Sequence, residues 1–424
     1  MNKKQAVVVG GGWAGCSAAW RLAAAGWQVT LVEKRKSLGG RAGSNFYPRW
    51  GMELDAGQHL FLGAYRQTLD LLQEMGTADK IHFDPRLQIC FLNSKGPAAF
   101  KAAALPGPLG LLGAFVSFDL LNGKEKREAL SFGLKAWRGW LDPSSLGDRD
   151  TRGWLVDCGQ SPALIRKFWE PFCLAVFNAP SDQAPAPLFA KVMRDGFLKG
   201  GKASALGVSK VPLSHLLTPL NAKVQVRLGT GAKRIHGKEV ILENGEVLRS
   251  DAVVLALAPW LASRQLEKSV VARLGIEDLS AMKASPIVTV YAKGTQPFLP
   301  APICAFSAED LGPFHWAIEQ PGLGHSFVAS FAADLASMPA TRILAILERQ
   351  LIAQVPGFDP AWIREAAVFK EARATPVFRI GEARRSQKTL VPGLVLAGDW
   401  TDTGLPATIE GAVLSGKLAA AALA

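Results

Sequence analysis

Three short runs carry the residue types that hold phosphates and redox rings. The first is Gly10-Gly11-Gly12-Trp13-Ala14-Gly15, a G-x-G-x-x-G. Gly10 permits a tight strand-to-helix turn, Gly12 lets backbone approach a pyrophosphate, and Gly15 lets the helix pack closely on the strand. The phosphates then sit on free N–H groups at the positive end of the helix dipole, where Ala14 lies in the first turn. Glu33 follows Gly15 by 18 residues. A carboxylate there can accept from both ribose hydroxyls and repels a 2′-phosphate. The second run leads from Glu33-Lys34-Arg35 into Leu38-Gly39-Gly40-Arg41. Its paired glycines again allow close backbone approach, and Arg41 supplies a cation for a phosphate or an electron-rich ring. A simple nicotinamide dehydrogenase has no need of this second glycine site. The third run is Leu396-Ala397-Gly398-Asp399-Trp400, followed by Gly404-Leu405-Pro406-Ala407-Thr408-Ile409. Asp399 can accept from a ribitol hydroxyl, and a helix starting near Pro406 and Thr408 turns its N-terminus toward the ligand.

Elements must bring these runs together. Gln5 to Val9 is β-branched and apolar, as in a parallel strand buried on both faces. Ala14 to Ala25 reads as a helix closed by Gly26, and Trp27 to Val32 as a second strand. Residues 61–220 carry long helical segments between Pro- and Gly-rich loops, including Tyr65 to Met75. Strand character returns at Val224–Leu228 and Glu239–Leu242. The turn Glu243-Asn244-Gly245-Glu246 predicts a hairpin to Val247-Leu248. Asp251–Leu257 and Leu394–Ala397 read as buried strands, and Thr408–Leu423 as the last helix. Nucleotide-type βα features at both ends and in the middle predict an α/β fold: a discontinuous Rossmann-like dinucleotide-binding domain with an inserted mixed α+β domain.

Composition bounds the rest. The chain has 424 residues, with 49% hydrophobic and 20% charged, which excludes a largely disordered or collagen-like protein. Its formal net charge of +12 favours anionic partners, whether phosphate-bearing ligands or acidic lipid surfaces. Five scattered cysteines without a C-x-x-C fit a reducing cytosol. Six histidines without an H-x-x-x-H or a Cys/His cluster predict no metal, and no basic aromatic platform predicts nucleic-acid binding. The longest uncharged run, Ala102 to Phe118, is 17 residues and is broken by prolines and glycines, so no membrane span is expected. In Lys124 to Leu141, Leu130, Leu134, Trp137 and Leu141 recur at helical spacing, with Lys124, Glu128, Ser131, Lys135 and Arg138 on an adjacent face. Such a helix can lie in a membrane interface.

The three runs, in this order, resemble the flavin amine oxidase and phytoene desaturase superfamily. More narrowly, Asp55-Ala56-Gly57-Gln58-His59-Leu60-Phe61-Leu62-Gly63-Ala64-Tyr65 resembles the squalene-associated FAD-dependent desaturases, whose members are hydroxysqualene dehydroxylases. So do Ala374-Thr375-Pro376 and the stretch from Ala397 to Thr408. The resemblance implies FAD held by Gly10, Gly12, Ala14, Gly15, Glu33, Lys34, Gly40, Arg41, Gly57, Gln58, Ala232, Gly398, Asp399 and Ile409. It implies an FAD-binding domain of residues 1–60, 205–262 and 385–424. Residues 61–204 and 263–384 would form the substrate domain, with residues 102–141 facing a membrane. The expected reaction is reductive dehydroxylation of hydroxysqualene, with His59 as proton donor kept charged by Asp55. The expected partners are a C30 isoprenoid, an anionic membrane surface and squalene-pathway synthases. The expected location is cytoplasmic, peripheral on the inner face of the cell membrane. A carotenoid-type desaturase and a non-catalytic prenyl-binding protein of the same fold are the alternatives; the electron donor is not legible.

Overall fold

The computed structural model describes residues 3–105, 107–267, 270–271, 274, 277–307, 312–320 and 322–423. The chain opens with strand β1 (Gln5–Val9), helix α1 (Trp13–Ala24) and strand β2 (Gln28–Val32). Next come α2 (Arg66–Met75), β3 (Gln88–Leu92) and β4 (Ala98–Lys101). A helical stretch follows, with α3 (Leu109–Ser117), α4 (Gly123–Lys135), α5 (Glu170–Phe177) and α6 (Ala186–Asp195). Strands return as β5 (Gln225–Arg227), β6 (Ala252–Leu255), β7 (Ala284–Gly294), β8 (Ile303–Phe306), β9 (Trp316–Gln320), β10 (Gly324–Ala329) and β11 (Ile363–Pro376). Strand β12 (Leu394–Leu396) and helix α7 (Ile409–Ala421) complete the set.

Five strands form one parallel sheet in the order β5-β2-β1-β6-β12. Val7, Val8 and Val9 are buried at its centre, where β-branched side chains pack well on both faces. The sheet draws its strands from three distant stretches: residues 5–32, 225–255 and 394–396. Gly10 makes the β1–α1 turn with φ +108°, a backbone region that glycine occupies without strain. A Cβ on Gly15 would stand 1.9 Å from the Gly10 carbonyl oxygen, so any larger residue would force α1 off the strand.

The second sheet has seven strands in the order β11-β7-β10-β9-β8-β3-β4. Neighbours run antiparallel except β3 and β8, which are parallel. The helical stretch packs on this sheet through an aromatic core. Phe168 lies 4.8 Å from Trp169, 4.9 Å from Phe115 and 5.0 Å from Phe100, ring centre to ring centre. Such pairs add about 0.5–1.5 kcal/mol each beyond the area they bury.

The expected single helix from Lys124 to Leu141 is shorter. Asn122 caps α4 through a reciprocal capping box with Glu125, and α4 passes at Ala136 into one wide turn, in which Gly139 adopts φ +84°. The core-facing stripe is Glu125, Ala129, Phe132, Gly133 and Ala136, while Leu130 and Leu134 are only half-buried and Trp137 is exposed. Buried Glu125 is compensated by Lys167, whose Nζ lies 3.0 Å from its Oε1. Among the described residues no helix is long and apolar enough to cross a membrane.

Candidate functional site

Every parallel strand points its carboxyl end at the same crevice, the place where α/β sheets bind ligands. Val9 leads into Gly10, Val32 into Glu33, Leu255 into Ala256, and Leu396 into Gly398-Asp399. The result is a groove of about 430 Å³. Gly10, Gly12, Ala14, Glu33, Lys34, Gly40, Arg41, Gly57, Gln58, Ala232, Gly398, Asp399 and Ile409 all border it. Gly15 does not: it faces β1, and its part is close packing. Two sequence runs fuse here, because Gly12 and Gly39 form a backbone bridge and Gly39 N–H donates to the Gly11 carbonyl at 2.8 Å.

The groove fits a dinucleotide on its own chemistry. A Cβ on Gly12 would meet only the Gly40 Cα, 4.0 Å away, so this backbone is open to a ligand. Helix α1 begins at Gly12 with no side-chain cap and no acid in its first turn, which leaves its N–H groups for an anion. Glu33 is pinned by two amides, Gly11 N–H at 2.6 Å and Arg35 N–H at 2.8 Å. Each carboxylate oxygen retains a second lone pair for a sugar hydroxyl. Arg41 and Asp399 form an ion pair at 2.6 Å, and Arg41 also donates to the Ala374 carbonyl at 2.9 Å. Lys34 touches the groove wall, but its ammonium pairs with Glu243 at 2.8 Å on the surface.

Two residues here escaped the sequence reading. Arg35 borders the groove and donates to the Gly40 carbonyl at 2.8 Å. Gln265 borders it with a buried side-chain oxygen that has no hydrogen-bond partner among the described residues. Its signal was its place on the helix Pro259–Gln265, which follows β6 just as α1 follows β1.

A second cavity, about 530 Å³, abuts the groove. Its walls are mostly apolar and include Phe61, Leu62, Phe172, Phe197, Trp316 and Val328. Gln58, His59, Ile287, Thr375, Thr408 and Ile409 border both spaces and so form the junction between them. Tyr65 lines the cavity with its hydroxyl bonded to Thr408; burial, then the nearby Glu410, pushes its pKa up to about 12. Glu410 accepts from Gln67 N–H, Thr68 N–H and Thr68 Oγ1 at 2.7–2.9 Å. It thereby caps the start of α2. Burial outweighs those bonds and raises its carboxyl above the ordinary range.

The structure does not bring the expected proton-donor pair together. His59 does reach the junction, but Asp55 borders neither space and does not pair with it. The Asp55 carboxylate instead accepts from Ser44 Oγ at 2.6 Å and Leu213 N–H at 3.0 Å, tying a hairpin to the chain beyond it. Burial raises its pKa against those bonds. The His59 pKa is lowered, first by burial and then by Arg41. Its Nδ1 lies 2.8 Å from the Gly57 carbonyl, which can only accept. Nδ1 therefore carries a proton. The lowered pKa disfavours the charged imidazole that a proton donor at Nε2 would need.

Known proteins match along the chain. It is similar to the hydroxysqualene dehydroxylase of Zymomonas mobilis, at 27% identity over 97% of both chains. It is similar to the zeta-carotene desaturase of Arabidopsis thaliana, at 24% identity over 98% of this chain and 84% of that one. Cyclohexylamine oxidase from Brevibacterium oxydans shares the fold, with a TM-score of 0.72 at 16% identity over 100% and 99% of the two chains. The sequence pattern of the flavin containing amine oxidoreductases spans residues 13–424, from the first turn of α1 to the end of the chain. A match of that extent, on a groove with this geometry, settles the family: the chain belongs to the flavin containing amine oxidoreductases and is an FAD-dependent oxidoreductase.

Proposed function

We propose that the chain converts hydroxysqualene to squalene, with the hydroxyl group leaving as water. The observation that carries this reading is the apolar cavity that meets the dinucleotide groove along one short wall, Gln58, His59, Ile287, Thr375 and Thr408. A long hydrocarbon fits such walls, and its reacting carbon would lie at that wall. The similarity to the Zymomonas mobilis dehydroxylase supports the reading, because it covers 97% of that protein against 84% of the desaturase.

In this reading Gly10, Gly12, Ala14 and the first-turn amides of α1 would hold the pyrophosphate, and Glu33 the ribose. Ala232 would lie along the adenine, and Arg41, Asp399, Gly57, Gln58 and Ile409 would hold the flavin half. Reduced FAD would supply the hydride equivalent that replaces the hydroxyl and, on its oxidation, the proton with which that hydroxyl leaves as water. The chain itself does three things. Phe172, Phe197, Trp316 and Val328 exclude water, which would otherwise trap an allylic cation. The neutral hydroxyls of Tyr65 and Thr375 offer hydrogen bonds to a departing oxygen. His59 borders the junction, and its burial disfavours the charged imidazole that an acid there would need.

The test is product analysis. Anaerobic, chemically reduced holoenzyme is mixed with hydroxysqualene and the lipid extract is separated by gas chromatography. Squalene in amounts matching the enzyme is expected. Unchanged hydroxysqualene, with a carotene precursor desaturated by the oxidised enzyme, would replace this reading with the desaturase.

A further inference from the structure

Five of the fourteen large hydrophobic side chains that are exposed among the described residues fall between positions 105 and 140. They are Leu105, Leu109, Val116, Trp137 and Trp140, and the two tryptophans are about half exposed. Water-facing tryptophan is uncommon unless something covers it.

Packing sets four of these residues at one end of a helix pair and Val116 at the other. A Cβ on Gly133, late in α4, would stand 2.7 Å from Leu112 in the middle of α3. At the other end, Lys126 Nζ donates to the Val116 carbonyl at 2.9 Å. The helices are therefore antiparallel, so Leu109 at the start of α3, with Leu105 four residues before it, falls at the end of the pair that carries Trp137 and Trp140. Lys124, Arg127, Lys135 and Arg138 follow α4 at helical spacing and are exposed. Asp119 is the one exposed acid among residues 101–141, against these four and Lys101. An apolar tip flanked by cations is complementary to anionic headgroups over hydrocarbon.

This tip adjoins the cavity. The Gly107 carbonyl packs so tightly on Gly200 that a Cβ there would stand 2.0 Å from it. Phe197 and Lys199, just before Gly200, line the cavity. On the other side, residues Pro143–Leu146 pack on α6, whose Lys191 and Asp195 line the cavity as an ion pair at 2.9 Å.

We propose that the α3–α4 tip docks on a bilayer containing acidic phospholipid and sets the cavity wall at Phe197–Lys199 against the membrane, so that an apolar substrate passes between them without crossing water. The passage rests on the cavity taking a lipid-soluble substrate; the docking surface does not depend on which one.

Sedimentation of holoenzyme with phosphatidylcholine vesicles, with and without phosphatidylglycerol, tests docking apart from activity. Binding to the acidic vesicles that weakens as salt rises is expected. Arg127→Glu/Lys135→Glu/Arg138→Glu should reduce it at least about tenfold. Leu109→Ser/Trp137→Ser should reduce it as well, while Leu390→Ser, at a site exposed to 82%, should not. Flavin content verifies folding, and if the tryptophan variant misfolds the charge reversals decide. No binding to either vesicle, or binding that neither salt nor the charge reversals change, would overturn the proposal. Equal binding by all variants would do the same.

Discussion

The groove and the cavity share a wall but are built in opposite ways. The groove is made of backbone. Strand ends and helix starts supply its amides, and the charged side chains Glu33, Arg41 and Asp399 in it are each held by a named partner at 2.6–2.9 Å. The cavity is made of side chains from the helical stretch, the seven-stranded sheet and α7, most of them apolar. A backbone site tolerates few residue types, because only glycine leaves the space open. A site walled by hydrocarbon accepts many residues of similar volume. The first therefore writes itself into sequence as fixed spacings, and the second as composition only.

That contrast can be broken at its strongest point first. Gly12→Val fills the space over the open backbone, and flavin content should fall to background while the fold persists by circular dichroism; a yellow, fully loaded variant would show that the pyrophosphate lies elsewhere. Ile287→Trp tests the junction from the cavity side. It should keep the flavin, yet slow turnover by about 100-fold or more, since a misplaced reacting carbon costs that much. Retained flavin with unchanged turnover would mean that the two spaces do not meet at Ile287.

Smaller effects come from histidines. His325 is buried with both ring nitrogens lacking a partner among the described residues, against Phe298 at 4.0 Å. Burial lowers its pKa to about 4. The unfolded chain binds this proton more readily, so the stability is full above the ordinary value and is lost as pH falls from about 6.5 toward 4. His325→Phe should therefore raise stability at pH 5 by about 2 kcal/mol and leave it little changed at pH 8, as read from urea midpoints. An equal gain at both pH values would mean that packing, not titration, is responsible. His59→Gln should give the smallest effect. With flavin retained, the single-turnover rate should change by less than about tenfold, whereas the loss of a general acid costs about 100-fold or more.

Much of the groove was legible. The β1–α1–β2 unit, the hairpin at Asn244-Gly245 and the cap at Thr408 follow from local spacing and turn chemistry, and the structure places them within a residue or two. Gln265 was missed although the strand before its helix was read, because a glutamine seven residues into a helix carries no spacing of its own. The Asp55–His59 pairing failed for a related reason. Four residues of sequence separation say nothing about direction, and the chain turns Asp55 toward Ser44 and Leu213 while His59 turns back on Gly57. The Leu130–Leu141 stripe divides in the structure: α4 gives way to a wide turn at Ala136, so Leu141 is buried and Leu130 packs on the core while Trp137 stays exposed.

The central claim is that reducing equivalents held in the groove reach a hydroxylated isoprenoid in the cavity. The direct measurement is an anaerobic single-turnover experiment in which reduced holoenzyme is mixed with hydroxysqualene and the visible absorbance of oxidised flavin is followed. The account predicts that absorbance returns with one squalene formed per flavin, and that Ile287→Trp abolishes the return without loss of flavin. Reduced enzyme that stays bleached in the presence of hydroxysqualene, while air restores its colour, would contradict it.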